Sequence, residues 1–261
     1  MGLSERSRES GGRAQRLPAG GPRLCAHRGL SRACPENTLP ALAAAAAVGA
    51  HEVEFDLWMS LDGVGVVCHD PALDRTTDGS GNVSETRWEE IRRLDAGIKR
   101  GEEWRGVRVP RFEEALDAAG GEVGINIHVK APGPGNRLVK LVCDTLRERN
   151  LMGRAYLAAG TEETLRSVCE YAPDTPRACL FGKGDPDEQI ATAVKYGCQR
   201  IQFGRGATGR HFRSAGQAGL VRNLYFSDDA EEALQYGRSG VDVVLTNCAH
   251  QLIADGIPAR L

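Results

Sequence analysis

The chain has 261 residues, of which 41% are hydrophobic and 26% are charged, and its formal net charge is -2. These values are typical of a globular protein with a sizeable core, and no basic stripe with interleaved aromatic residues indicates a nucleic-acid partner. No run approaches the roughly 18 consecutive apolar residues of a membrane span.

The cysteines and the first residues bear on where the protein works. Eight cysteines are scattered without a C-x-x-C pair or a zinc-type spacing, so we expect reduced core residues of a cytoplasmic protein. The opening segment MGLSERSRESGGRAQRLPAGG is polar, rich in Arg and Gly, and lacks the apolar centre of a signal peptide. We therefore expect a flexible tail over residues 1–20 and one domain over residues 21–261.

After this segment, short apolar runs alternate with amphipathic segments. The predicted strands are, in chain order, PRLCAH, VEFDLW with GVGVVCH as its extension, VGINIHV, RAYLAA, PRACLF, CQRIQF, LVRNLYF and VDVVLT. Helices are predicted at NTLPALAAAAAVGA, with Asn37 as its N-cap, and then at FEEALDAAG, NRLVKLVCDTLRERN, EETLRSVCEYA, PDEQIATAVKYG, HFRSAGQAG, DAEEALQYG and AHQLIA. Eight strand–helix units favour an α/β protein with a (β/α)8 TIM barrel. An open doubly wound sheet is the alternative, although no G-x-G-x-x-G follows the first strand.

One segment interrupts this alternation. Residues 71–110 contain five glycines, two tryptophans and many charged residues, with little periodicity. The segment is too long for an ordinary connection between a strand and a helix. We therefore expect a small inserted subdomain over residues 71–110, after the second strand.

Polar residues cluster where the first predicted strands end. In a TIM barrel, side chains at the carboxyl ends of the strands build the active site. Two carboxylates on one face of a strand repel each other unless a cation lies between them, and two histidines can serve as general acid and general base. This combination predicts metal-assisted attack at a phosphate. The candidates are His27, Arg28, Glu54, Asp56, His69, His128 and Lys130.

Three segments carry a pattern specific to a known family. They are AHRGLSRACPENTLPAL, GAHEVEFDLWMSLDG and VGVVCHDPALDRTTDGSGNV. With them the chain resembles the glycerophosphodiester phosphodiesterases, a family of phospholipase C-like TIM barrels with a small insertion after the second strand. The resemblance implies that His27 and His69 are the general acid–base pair and that Glu54 and Asp56 are metal ligands. It also implies that Arg28 and Lys130 bind the phosphate and that Glu36 and Asn37 are supporting residues of the first loop.

The chain also departs from the pattern of the family it resembles. The family usually has E-x-K on the third strand, where the Glu is a third metal ligand, and this chain has His128. The strand-seven Trp is absent, and Tyr225 is expected to take its role in binding substrate. The usual T-D of the eighth strand is Thr246-Asn247 here.

His128 has three possible roles. It could be a nitrogen ligand of the metal, which is the reading we favour, it could bind a water molecule on the metal, or the site could have lost metal and catalysis. The resemblance implies one divalent ion, Mg²⁺ or Ca²⁺. A nitrogen ligand would shift the preference toward Mn²⁺, Co²⁺ or Zn²⁺.

The sequence therefore predicts a phosphoric diester hydrolase. It would act on small glycerophosphodiester-like molecules, as in lipid and glycerol metabolism, and release an alcohol and a phosphomonoester. One alternative is a lyase of the sphingomyelinase D type, which stops at a cyclic phosphate. The other is a non-catalytic barrel that binds a phosphate ligand. The oligomeric state is left open.

Overall fold

The computed structural model describes residues 21–180 and 184–260, and the expected tail, residues 1–20, lies outside them. None of the helices in this part of the chain is both long and apolar enough to cross a membrane. Short 3₁₀ turns lie at Val83–Glu85, Glu102–Trp104 and Pro134–Asn136. The other elements are β1 (Arg23–Ala26), α1 (Leu39–Ala47), β2 (Glu52–Met59), β3 (Gly65–Val67), α2 (Trp88–Ile91), α3 (Phe112–Ala119), β4 (Gly124–Val129), α4 (Arg137–Glu148), β5 (Ala155–Ala159), α5 (Glu162–Tyr171), β6 (Arg177–Cys179), α6 (Pro186–Lys195), β7 (Arg200–Gly204), α7 (Gly209–Gln217), β8 (Val221–Tyr225), α8 (Ala230–Arg238), β9 (Val243–Thr246) and α9 (Ala249–Ala254).

Eight of the strands close into a parallel barrel. The strand order is β1-β9-β8-β7-β6-β5-β4-β2-β3, and an additional pairing of β1 with β2 joins the two ends. β3 lies outside the barrel, paired antiparallel with β2. The prediction of a (β/α)8 TIM barrel is thus confirmed, and the open doubly wound sheet is excluded because the sheet closes.

The alternation of side chains along β2 and β4 separates the core from the barrel interior. Val53, Phe55 and Leu57 are fully buried in the hydrophobic core between the barrel and its helices. Because strand side chains alternate between faces, Glu54 and Asp56 point into the barrel. The register pairs Glu54 with Asn126 and Asp56 with His128, so polar side chains of both strands share the interior.

The stretch after β3 is the insertion expected after the second barrel strand. It holds α2 and two of the 3₁₀ turns, and it has a small hydrophobic core separate from the main one. This core consists of Val66, Cys68, Leu73, Val83, Ile91, Ala96 and Val109. The bounds 71–110 for a separate subdomain remain a prediction.

The start of α1 differs from the prediction. Asn37 was expected to be its N-cap, but the N-cap is Thr38, without a side-chain cap hydrogen bond. Asn37 instead adopts a left-handed backbone conformation (φ 57°), and its amide donates to Asp56. The assignment of Asn37 as N-cap was wrong because this side chain satisfies a buried carboxylate on β2 rather than a helix end.

The amino end of the barrel is closed by a buried ion pair. Glu52 accepts hydrogen bonds from Arg200 (2.9 Å) and from the Tyr156 hydroxyl (2.8 Å), and Arg23 lies 3.5 Å away. Asn223 donates to the Tyr156 hydroxyl. Burial alone would raise the pKa of Glu52, but the charges of Arg200 and Arg23 hold it below its ordinary value.

We expect Glu52→Gln to destabilise the fold. The substitution leaves the Arg200 guanidinium buried without its carboxylate, which typically costs about 3–5 kcal/mol of unfolding free energy. Urea denaturation measures the loss. Glu102→Gln, which removes an exposed ion pair with Arg105, is the control and should leave the urea midpoint unchanged. Equal midpoints for the wild type and Glu52→Gln would contradict a structural role for the buried pair.

Candidate active site

A cavity of about 320 Å³ opens at the carboxyl ends of the barrel strands. Two loops that carry histidines line it, together with a pair of carboxylates, two cationic side chains and the aromatic residue at the end of β8. The structure therefore brings all eight predicted site residues together, while the roles assigned to them remain predictions. Those residues are His27, Arg28, Glu54, Asp56, His69, His128, Lys130 and Tyr225.

Asp56 is the most heavily bonded side chain of the cavity, with only 1% of its surface exposed. Its Oδ1 lies 3.0 Å from Nδ1 of His128 and 2.9 Å from Nζ of Lys130. Its Oδ2 accepts from the Asn37 amide at 2.9 Å, and Nε of Arg28 is 3.5 Å away. Burial alone would raise the pKa of Asp56, but His128 and Lys130 hold it well below its ordinary value. Asp56 is therefore an ionised carboxylate.

Glu54 differs from Asp56, although both are buried on the same face of β2. Arg28 and Lys130 both pair with Asp56, whereas Glu54 accepts the backbone N–H of Arg28 at 2.8 Å. Burial and the charge of Asp56 raise the pKa of Glu54 well above its ordinary value. A cation placed between the two carboxylates would remove this repulsion.

The donor set fits a divalent ion. Glu54, Asp56 and His128 each offer one ligand atom, and these atoms lie within 4.8 Å of one another. Two carboxylates and an imidazole suit a transition metal or Mg²⁺. Nδ1 of His128 lies against Asp56. Its Nε2 lies 3.3 Å from the position that a Cβ at Gly160 would occupy. Burial lowers the pKa of His128, which favours the neutral imidazole that a metal requires.

The loop after β1 carries a strained backbone. Arg28 has a φ of 55°, in the left-handed region, which typically costs a non-glycine residue about 1–3 kcal/mol. The next residue, Gly29, is also left-handed, and a Cβ there would lie 2.6 Å from the backbone of Ala41. This conformation directs the Arg28 N–H to Glu54. The strain therefore lies where the backbone binds a carboxylate.

A chain of ion pairs connects the first loop to the insertion. Arg28 donates to Glu36 at 2.9 Å, and Arg75 donates to both oxygens of Glu36 at 2.7 and 3.0 Å. Arg75 also contacts Asp70. Glu36 thus pairs with the Arg28 side chain beside the cavity, and its supporting role remains a prediction.

Each of the two candidate acid–base histidines has its Nδ1 engaged. His27 Nδ1 lies 2.8 Å from Oδ1 of Asn247, and His69 Nδ1 lies 2.6 Å from Oδ1 of Asp70. Both partner atoms accept hydrogen bonds only, so in each ring Nδ1 carries the proton and Nε2 remains for chemistry. Burial and the neighbouring Arg28 lower the pKa of His27 to about 4.

An aromatic surface borders His27. Tyr225, at the end of β8, is 38% exposed, and its ring meets the His27 imidazole edge-on with centroids 5.2 Å apart. The Phe226 ring lies nearly parallel to the imidazole, with the ring centroids 6.3 Å apart. A half-exposed aromatic ring beside a catalytic candidate offers an apolar contact for part of a ligand.

The sequence did not identify several residues that position the site. Asp70 and Arg75 lie within the HD…L-x-R-T-T segment, so their sequence signal was present but unassigned. Asn247 was seen only as a departure on the last strand. No sequence pattern indicated Asp228, because its contact with Asn247 joins the ends of two different strands.

Comparison with solved structures places the chain in a class, the phosphodiesterases built on this barrel. A phosphodiesterase from Oleispira antarctica superposes with a TM-score of 0.81 over 90% of this chain and 96% of that one, at 24% identity. A glycerophosphodiester phosphodiesterase from Agrobacterium tumefaciens gives a TM-score of 0.76, at 28% identity over 88% of this chain and 99% of that one.

Sequence comparison narrows the class to one family. The model of the glycerophosphoryl diester phosphodiesterase family matches residues 27–250. A glycerophosphodiester phosphodiesterase of Caldanaerobacter subterraneus subsp. tengcongensis is 37% identical over 62% of this chain and 67% of its own length, and one of Bacillus subtilis is 27% identical over 83% and 81%. The chain belongs to this family of phosphoric diester hydrolases, which confirms the resemblance found in the sequence.

The raised pKa of Glu54 predicts pH-dependent binding of a divalent ion. The ion requires the ionised carboxylate, so affinity should increase as pH rises through the pKa of Glu54. Glu54→Gln should bind more weakly and lose this part of the dependence. Calorimetric titration with Mn²⁺ at a series of pH values measures both effects, with the exposed Glu103→Gln as control. The same pH dependence in wild type and Glu54→Gln would contradict the prediction.

Proposed function

We propose that this protein hydrolyses glycerophosphodiester-like substrates and releases an alcohol and a phosphomonoester. Family membership and relatives named as glycerophosphodiester phosphodiesterases support this activity. The observation that carries the proposal is the pairing of two histidines, His27 and His69, in one cavity with the carboxylate pair and two cations. Each histidine has Nδ1 engaged and Nε2 left for proton transfer.

The cations would bind the substrate phosphate. Arg28 and Lys130 line the cavity and present guanidinium and ammonium groups to it. Both contact Asp56, so their positions are fixed before a ligand enters. Tyr225 would pack against the alcohol part of the substrate.

Proton transfer belongs to the two histidines. One removes a proton from the nucleophile, which is either water or a neighbouring hydroxyl of the glycerol group, and the other protonates the leaving alcohol. Attack by water cleaves the P–O bond directly. Attack by the hydroxyl forms a cyclic phosphate, which water then opens to the same phosphomonoester.

A divalent metal ion completes the proposed site. Glu54, Asp56 and His128 would hold it. When bound, it would supply positive charge that polarises the phosphoryl oxygen. Because one donor is a nitrogen, we propose a preference for Mn²⁺, Co²⁺ or Zn²⁺ over the Mg²⁺ or Ca²⁺ that the family resemblance implies.

We also propose a cytoplasmic location and a role in lipid or glycerol metabolism. Seven of the eight cysteines are buried. Reduced thiols are typical of a reducing compartment. The partner of the cavity would be a small phosphodiester.

We expect His27→Ala and His69→Ala each to lose at least ~100-fold in turnover, the usual contribution of a general acid or base. Phosphorus NMR of glycerophosphodiester hydrolysis measures both the rate and the product. His51→Ala removes an imidazole at the amino end of β2, outside the cavity, and should keep the wild-type rate. Near-normal turnover in either cavity variant would remove that histidine from the mechanism.

The product in the same experiment separates the proposed function from its alternatives. A phosphomonoester supports the hydrolase. A cyclic phosphate that accumulates without opening indicates the lyase. Binding of a phosphodiester without cleavage, across Mg²⁺, Ca²⁺, Mn²⁺, Co²⁺ and Zn²⁺, indicates the non-catalytic barrel.

We expect His128→Glu to shift the metal preference toward Mg²⁺ or Ca²⁺. The change replaces a nitrogen ligand by a third carboxylate, which hard cations prefer. Activity with each ion in turn measures the shift. His128→Gln, which removes the nitrogen without adding charge, should weaken all ions alike. An unchanged metal profile in His128→Glu would show that His128 is not a ligand.

A further inference from the structure

A second layer of hydrogen bonds lies behind His27. Asn247, which follows β9, is the partner of His27 Nδ1 at 2.8 Å. Its own amide nitrogen donates to Oδ2 of Asp228 at 2.8 Å, and its backbone N–H donates to Oδ1 of Asp228 at 2.7 Å. Asp228, in the loop that follows β8, therefore accepts two hydrogen bonds from the same residue, Asn247.

Further contacts make Asp228 a fixed acceptor. The Thr246 hydroxyl donates to its Oδ1 at 3.0 Å, and Arg32 lies 3.7 Å from its Oδ2. Burial alone would raise the pKa of Asp228, but the hydrogen bonds from Asn247 and Thr246 hold it below its ordinary value. The carboxylate is therefore ionised and can only accept hydrogen bonds.

An ionised carboxylate determines which way the Asn247 amide faces. The end of the amide next to Asp228 must be the NH₂ group, because a carbonyl oxygen there would face two carboxylate oxygens. The carbonyl end must then face His27, and the Ser31 hydroxyl also donates to it at 3.2 Å. Since a carbonyl only accepts, the proton of a neutral His27 lies on Nδ1 and its lone pair lies on Nε2.

We propose that Asp228 is a positioning residue for the reaction: through the Asn247 amide it holds His27 in the tautomer whose Nε2 can accept a proton. This inference rests on the proposed function. His69 is held differently, because the Asp70 carboxylate contacts its Nδ1 directly. A neutral amide stabilises an imidazolium less than a carboxylate does. The two histidines are therefore set up unequally, with His27 neutral and ready to take a proton.

The tautomer can be measured without any turnover. In protein labelled with ¹⁵N-histidine, the ring nitrogen shifts distinguish a protonated Nδ1 from a protonated Nε2, and His27→Ala identifies the signals. The wild type should show His27 with the proton on Nδ1. Asp228→Ala should show a mixture of tautomers, because the Asn247 amide can then turn over. Because this signal does not depend on activity, a failure of the proposed function leaves the test intact.

Exchanging the two side chains is the matched kinetic test. Asp228→Asn places an NH₂ group against donors of Asn247 and should lower kcat about 10–100-fold, the usual effect of losing such an outer partner, with KM nearly unchanged. The double variant Asp228→Asn, Asn247→Asp restores a complete donor–acceptor pattern, with the new carboxylate on His27. It should recover the Nδ1-protonated signal and part of the lost kcat, because the carboxylate restores the tautomer but stabilises an imidazolium more than the amide does.

Asp242→Asn is the control for loss of a buried aspartate. Asp242 immediately precedes β9, at the opposite end of the barrel, and accepts hydrogen bonds from the backbone N–H and the guanidinium of Arg222. The substitution Asp242→Asn should leave the His27 signal and kcat unchanged. The proposal is overturned if wild-type His27 carries its proton on Nε2, or if Asp228→Asn keeps the wild-type kcat. It is also overturned if kcat falls with an unchanged tautomer, since the effect would then be structural.

Discussion

The like-charged pair Glu54 and Asp56 is the constraint on which the rest of the site depends. Two carboxylates on one face of β2 are buried in the barrel mouth, where their repulsion is strong. The protein supplies cations and donors to Asp56 from both ends of the first loop, at Arg28 and Asn37, and from Lys130 at the end of β4. Glu54 receives a backbone N–H, which requires the left-handed turn at Arg28. Much of the local strain and charge pairing therefore follows from placing these two side chains together.

The interior face of β2 shows how the charge is balanced along the barrel. Glu52, at the amino end, has Arg200 as a close partner, and Asp56, at the carboxyl end, has Lys130. Glu54 lies between them with its pKa raised. A divalent ion bound beside Glu54 and Asp56 would supply the missing charge, and the donor atoms already lie within reach of one centre. The same two residues thus create the repulsion that an ion would relieve and offer ligand atoms that would hold it.

Much of the fold and the site could be predicted from the sequence, because both depend on local patterns. The period-two alternation in β2 and β4 indicated which residues face inward, and the barrel rule then brought the strand-end residues together. The N-cap assignment of Asn37 failed because a short-range helix signal competed with a buried carboxylate 19 positions away. Asp228 was missed for a similar reason, because its role depends on a contact with Asn247 at the end of a neighbouring strand. Side-chain pairing across the barrel needs the closed structure.

The measurement that tests this account most directly is the metal content of the purified protein, followed by hydrolysis of a glycerophosphodiester panel before and after chelation. We predict one divalent ion per chain, loss of hydrolysis in the chelated protein and recovery when an ion is returned. Glu54→Gln should bind less of that ion under the same conditions. Full hydrolysis by the chelated protein, or equal metal content in Glu54→Gln, would contradict the central claim.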